Sequence, residues 1–179
     1  DGPKGKETYN TPQKGGNSSV KEDTAFIGGV KALAEKYGTT TAELMSLMHF
    51  ESAGSFDPAK RNSIGATGLI QFIPSTAKGL GTSTDALAGM SRMEQLDWVD
   101  RYLAQTPVRK VEKPTGEDLY MSVLWPKAVG KPSDYVLWKE GSIEYKQNKG
   151  LDVGGKGYIT KRDAAQKAMQ YVDFYGDLE

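Results

Sequence analysis

The sequence predicts a mainly α fold: a single helical domain with long glycine-rich loops and at most a small β-excursion. Three observations carry this reading. Apolar residues recur at spacings of three and four over most of the chain beyond residue 23. Ser or Thr followed three residues later by Glu, a helix-starting pattern, stands before two of these runs. Stretches punctuated by Gly, Ser and Pro separate them.

Residues 1–22 are rich in Gly, Lys, Asn, Ser, Pro and Thr and read as a flexible tail or linker. Residues 23–179 form the domain. Phe26, Ile27, Val30, Leu33 and Tyr37 mark a first helix, which Gly38 ends as a C-cap. TTTAEL opens the second, with Thr40 and Glu43 at capping-box spacing. Leu44, Leu47 and Met48 form its apolar stripe, Glu51 is the next member of that series, and Gly54 closes it. From Phe56 to Gly81 the chain reads as loop, with an apolar burst, GLIQFIP, and a short helix beginning at Pro74–Ser75. Ser91 and Glu94 cap a helix that turns Leu96, Val99, Tyr102 and Leu103 inward. Another runs from 115 to about 124 on Leu119, Tyr120, Val123 and Leu124, and Pro126 stops it. A last helix is expected over about 160–175.

Composition excludes several classes of function. The 23 basic and 23 acidic residues cancel, so nothing draws the whole chain to nucleic acid or an anionic membrane. Without cysteine there is no disulfide, thiolate nucleophile or cysteine metal site, and one histidine cannot build a multi-histidine metal site. No apolar run approaches the roughly 20 residues of a membrane helix. No cofactor, metal, membrane or nucleic-acid partner is expected. The N-terminal stretch has no apolar leader-like segment, and its composition suits a module attached to something larger.

Two stretches point to chemistry. In HFESAGSFDP, residues 49–58, Glu51 is a carboxylate on a core-facing stripe at the end of a helix. Such a group either edges the stripe, pairs with Lys60 or Arg61, or serves catalysis. Burial and the negative helix end both disfavour its ionised form, which suits a general acid for glycoside cleavage. In IGATGLIQFIPSTA, residues 64–77, Gly65 and Gly68 permit a sharp turn and close approach, and Gln71 sets an amide among apolar neighbours. That amide either satisfies the loop backbone or meets an acetamido or hydroxyl group.

Glu51-Ser52 at a helix end, followed by Gly65, Gly68, Leu69, Gln71 and Pro74 in a Gly-x-x-Gly-Leu-x-Gln-x-x-Pro pattern, resembles the soluble lytic transglycosylase family. The fold of that family is related to goose-type lysozyme. The resemblance implies a lysozyme-like catalytic domain that cleaves the β-1,4 bond between N-acetylmuramic acid and N-acetylglucosamine in peptidoglycan. It implies Glu51 as general acid and then general base, and Ser52, Thr67, Gly68, Gln71 and Phe72 along the substrate groove. Thr67 lies where many members carry a hydroxyl or small residue, suited to an acetamido contact.

The third family motif, Ala-Tyr-Asn, is absent. LYMSVLWPKAVGKP, residues 119–132, stands instead, with Trp125-Pro126 in the Tyr-Asn place and Tyr120 five residues earlier. Tyr120 supplies the missing hydroxyl or packs its helix, and Trp125 stacks on a sugar face. An aromatic-Pro variant is frequent in phage enzymes resembling this family. It implies a phage endolysin or virion-associated lysin acting in the host periplasm or cell wall. Asp57, Asp85 and Asp97 are candidates for a second carboxylate, although Asp57 is better placed to shape its turn. With a single acid, attack by the sugar's C6 hydroxyl yields a 1,6-anhydro product. A hydrolytic lysozyme of the same fold and a non-catalytic virion or wall-binding module are the alternatives.

Residues 152–163, DVGGKGYITKRD, keep the frame of an EF-hand calcium loop, but Gly154 and Lys156 replace two ligands. The loop geometry is expected without its calcium. His49 lies about 200° around the helix from Glu51 and is expected to be structural. Trp98 and Trp138 are expected to pack, or to edge a groove.

Overall fold

The computed structural model describes residues 20–179, so residues 1–19 of the expected tail lie outside the described residues. A helical turn at 20–22 already packs, with Val20 fully buried. Lys21 anchors it by donating to the Phe174 carbonyl (2.5 Å) and to Asp177 Oδ1 (3.0 Å). Helix α1 spans Thr24–Tyr37, with Asp23 accepting from the Phe26 N–H and Gly38 closing it at φ 75°. Helix α2 follows at Thr41–Glu51, where Thr40 accepts from the Glu43 N–H and donates to Glu43 Oε1.

Helix α2 is the centre of the fold. Beyond the apolar residues of its expected stripe, Thr41, Ala42, Met45, Ser46 and His49 are also buried. A helix enclosed on all sides is a core helix, so every polar side chain on it needs a partner. Helix α1 and helix α6 (Gly116–Leu124) pack against it, and α5 (Arg92–Ala104) packs against α1. The short α3 (Pro74–Gly79) and α4 (Thr84–Ala88) lie in the connection before α5. Capping boxes start α5 at Ser91/Glu94 and α6 at Thr115/Asp118. Leu96, Val99, Tyr102 and Leu103 of α5 and Leu119, Tyr120, Val123 and Leu124 of α6 face inward as their spacing predicts.

A two-stranded antiparallel sheet lies beyond α6, with β1 at Val136–Lys139 and β2 at Tyr158–Thr160. The strands are separated by the short helix α7 (Ile143–Gln147) and a 3-10 turn, and a bulge interrupts their register between Val136 and Trp138. The expected last helix stops early. Helix α8 covers only Lys161–Ala165, and the chain to residue 175 continues as turns. Ser46 of α2 explains part of the break: its hydroxyl donates to the Ala168 carbonyl (2.6 Å) and accepts from the Tyr171 N–H (3.2 Å). Both groups would otherwise serve the helical ladder.

In the EF-hand-like loop, Asp152 accepts from the N–H groups of Lys156 (3.0 Å) and Gly157 (2.8 Å) and from the Tyr145 hydroxyl (2.7 Å). The Lys156 ammonium bonds Asp163 Oδ2 (2.8 Å) and the Val153 carbonyl (2.6 Å), and lies 3.5 Å from Asp152 Oδ1. A tethered cation thus bridges the first and last acids of the loop. The Tyr145 bond comes first in holding the Asp152 carboxyl down at about 2. Among the described residues, no group of three or more His, Cys, Asp and Glu side chains is arranged to hold a metal ion.

Candidate active site

Glu51 is the last residue of α2 and is 5% exposed. The turn that follows is held by Ser52, whose hydroxyl donates to the Met48 carbonyl (2.6 Å) and accepts from the Phe56 N–H (2.9 Å). The Gly54 N–H returns to the His49 carbonyl (2.8 Å). Among the described residues, the non-glycine positions with positive φ are Ala53 (54°), Phe56 (48°) and Gln71 (57°). All three lie in the two motif stretches. Side-chain residues in this region are strained and persist only where their surroundings hold them.

The 60–72 loop folds on itself through paired bonds between Thr67 and Phe72 (2.9 Å each way) and a bridge from Arg61 to Thr67. The Thr67 hydroxyl donates to the Gly65 carbonyl (2.9 Å) and accepts from Arg61 Nε (3.1 Å). Gln71 is buried and its amide nitrogen donates to the Lys60 and Gly68 carbonyls, both at 3.0 Å. Phe72 is buried, with its ring edge-on to Tyr102 at 6.2 Å. Ser52 directly follows Glu51, Phe72 meets Tyr102, whose phenol feels the Glu51 charge, and the bonds of Ser52, Thr67 and Gln71 shape their own loops from within.

Gln95 and Tyr102, one face of α5, are members of this region that sequence reasoning did not single out as site residues. Gln95 Oε1 accepts from the Leu69 N–H (2.7 Å), and its amide nitrogen donates to the Pro58 and Leu87 carbonyls (3.0 Å each). One fully buried side chain thus ties two loop segments and the short helix α4 together. A Cβ on Gly68 would lie 2.2 Å from Gln95 Oε1, and Gly68 has φ 87°, so this contact admits glycine alone. The available signal was a glutamine one turn before Val99 on an inward face. Tyr102 donates to the Ser122 carbonyl (2.6 Å). Burial and then the nearby Glu51 charge push its phenol well above the ordinary range. It also lines a cleft of about 230 Å³ with Thr76, Gly79, Gln105, Thr106, Pro107 and Pro126.

Tyr120 is buried edge-on against Phe50 at 5.7 Å. Trp125 is half-buried, caps α6 and meets Trp138 edge-on at 5.4 Å. Trp98 is half-buried under the Arg101 guanidinium at 4.3 Å. Asp57 accepts from the Ala59 N–H (2.8 Å) within its own turn, Asp85 pairs on the surface with Arg61 (3.0 Å), and Asp97 is exposed. Of the two buried carboxylates among the described residues, Asp118 is held by Lys161 and Glu51 stands beside Tyr102.

His49 faces away from this site. Its ring stacks on Tyr171 (3.8 Å between centroids, 15°), and Nδ1 is 2.7 Å from the Tyr175 hydroxyl. Burial lowers its pKa from 6.5 to about 4. Between those values the unfolded chain binds the proton and the folded one does not. Stability is therefore full above 6.5 and falls as pH drops toward 4. The loss from this group is roughly 2 to 3 kcal/mol at 1.36 kcal/mol per pH unit with partial screening. Urea unfolding at pH 7 and pH 4.5 should show it, and a His49→Gln variant should lose much less over the same interval.

Residues 29–97 match the family model of the transglycosylase SLT domain. No curated protein and no solved structure matches the chain significantly. The matched residues run from within α1 into α5 and include Glu51, the Gly65–Gln71 loop and Gln95. Over this segment the chain is similar to the transglycosylase SLT domain, and the mainly helical structure is consistent with a lysozyme-like domain of that kind. The family is one of glycan-cleaving enzymes whose substrate is peptidoglycan. Tyr102, Trp125 and the Pro126 side of the cleft lie beyond the matched residues.

Proposed function

We propose that this chain is a lytic transglycosylase that cleaves the N-acetylmuramic acid–β-1,4–N-acetylglucosamine bond with Glu51 as its one catalytic carboxyl group. The observation that carries the reading is a buried acid at the end of the central helix, followed by a strained motif turn and near enough to Tyr102, a residue of the cleft wall, for its charge to act on that phenol. Glu51 donates a proton to the glycosidic oxygen as the bond to the anomeric carbon breaks, and the substrate's acetamido group stabilises that carbon. The resulting carboxylate then takes the proton of the C6 hydroxyl as its oxygen bonds to the same carbon. The acid is restored and a 1,6-anhydro end remains.

Thr76, Gln105 and Thr106 supply polar groups along the cleft, and Pro126 joins it to Trp125, which is suited to a sugar face. The engaged amide of Gln71 and hydroxyl of Thr67 support a shaping role for the motif loop. The Trp125-Pro126 pair supports a phage setting, as an endolysin or virion-borne lysin acting in the cell wall. Mass spectrometry of fragments released from purified peptidoglycan tests the reaction. Anhydro ends are expected. Reducing ends, heavier by one water, would replace this reading with a hydrolase.

A further inference from the structure

Glu51 projects from one face of α2, and residues 166–179 run along the opposite face with a directional contact at each stage. At the first turn, the Glu179 carboxylate accepts from the N–H groups of Ala42 (2.8 Å) and Thr41 (3.4 Å). In the middle, Ser46 Oγ donates to the Ala168 carbonyl and accepts from the Tyr171 N–H. At the last turn, His49 bonds the Tyr175 hydroxyl and stacks on Tyr171. At 100° per residue, Ala42, Ser46 and His49 fall within an arc of about 60°, and Glu51 lies about 140° to 200° from them.

We propose that residues 166–179 are a strap that positions the catalytic helix, with Ser46, His49, Tyr171 and Tyr175 as positioning residues for Glu51. The proposal rests on the reading of Glu51 as the reacting acid. Apolar packing alone would let a helix slide or rotate, because dispersion contacts are individually weak and have no direction. The grip on α2 is polar and buried. A shift of the helix would leave Ser46 Oγ, His49 Nδ1 and two backbone groups without partners, each at a desolvation cost.

The grip also reaches the turn beyond Glu51. The His49 carbonyl accepts from the Gly54 N–H, and the Tyr175 ring lies edge-on to Phe56 at 6.0 Å. Phe56 is one of the strained residues (φ 48°). The strap therefore holds both flanks of Glu51, the helical turn before it and the left-handed turn after it. A Cβ on Gly116 would lie 2.4 Å from Met169 Sδ and 2.9 Å from Glu43 Oε2, so the Met169 side chain of the strap packs directly on the start of α6. It lies outside the residues that match the family.

Tyr175→Phe and Ser46→Ala each remove a hydroxyl and keep the rest of the packing. Two measurements decide the matter: kcat and KM on purified peptidoglycan well below the melting temperature, and amide exchange resolved by residue. A displaced acid acts on kcat, and a misplacement of about 1 Å costs up to 10²-fold. The expected result is a kcat at least tenfold lower with KM within about twofold. Exchange at Ser52 and Gly54 should be at least tenfold faster, with Val99 and Leu103 of α5 unchanged. Unchanged kcat in both variants of an active protein overturns the proposal, as does a uniform loss of protection across α1, α2 and α5. Should the unmodified chain fail to cleave glycan, the functional reading falls. The exchange data then decide alone: a local loss at 52–54 supports the strap and unchanged protection refutes it.

Discussion

Glu51→Gln is expected to lower the rate of glycan cleavage by about 10² to 10⁴, the range that a positioned general acid contributes. Glutamine keeps the size and planarity of the side chain, so the turn bonds of Ser52 and Gly54 are left intact. What it removes is the proton that the leaving oxygen must receive. A melting transition that persists in the variant shows that the fold is kept. Release of soluble fragments from purified peptidoglycan, measured beside calorimetry, separates the outcomes. Full activity in the variant would remove Glu51 from the mechanism. Inactivity of both proteins would favour a module that binds the wall without turnover.

The helix that presents Glu51 and the loop beside it were legible because both are encoded locally. Thr40 before Glu43 and the left-handed Gly38 are cap signals read within four residues. The register that makes Glu51 the next member of the Leu44, Leu47, Met48 series needs nothing beyond helical geometry. Gly68 was singled out as a site of close approach, and the approaching group is Gln95, 27 positions away in the numbering. That partner was hidden, since a glutamine on a helix names no destination. The same holds for Tyr102, whose inward register was readable but not its neighbourhood with Glu51.

The C-terminal region was misread for a physical reason. Residues 160–175 have helical spacing, but Ser46, from a different helix, takes the carbonyl of Ala168 and the N–H of Tyr171. A tertiary bond overrides a local propensity there. The small β-excursion was expected, but the places of its strands were not legible because each has only three or four residues, too few for a period of two to emerge. The loop between Asp152 and Asp163 shows the converse. Its lysine at a ligand position looked like damage to a calcium frame, and in the fold that lysine is the cation the two acids share.

Asp118→Ala is expected to be the most destabilising of these substitutions, although no chemistry passes through the residue. Asp118 and Lys161 are 4% and 2% exposed, and Lys161 Nζ is 2.5 Å from Asp118 Oδ1. The ammonium also donates to the Lys131 carbonyl (2.8 Å), and Asp118 accepts from the N–H groups of Gly130 (2.8 Å) and Thr115 (2.9 Å). One carboxylate thereby joins the start of α6, the turn after Pro126 and the start of α8. Burial alone would push its carboxyl up, but the Lys161 bond and the two backbone N–H groups more than reverse this and hold it below the usual range. Its contribution is therefore present above the ordinary carboxylate pKa and is lost as pH falls through the lower, folded value. Alanine strands a buried ammonium, which costs about 3–5 kcal/mol. That is a large share of the roughly 5–15 kcal/mol that keeps a domain folded. Urea titration should show a lower midpoint with an unchanged slope. Asp118→Leu with Lys161→Met, which removes both charges and keeps the volume filled, should recover most of the loss. If the double variant is no more stable than Asp118→Ala, the cost belongs to the α6 cap and the Gly130 turn and not to the stranded charge.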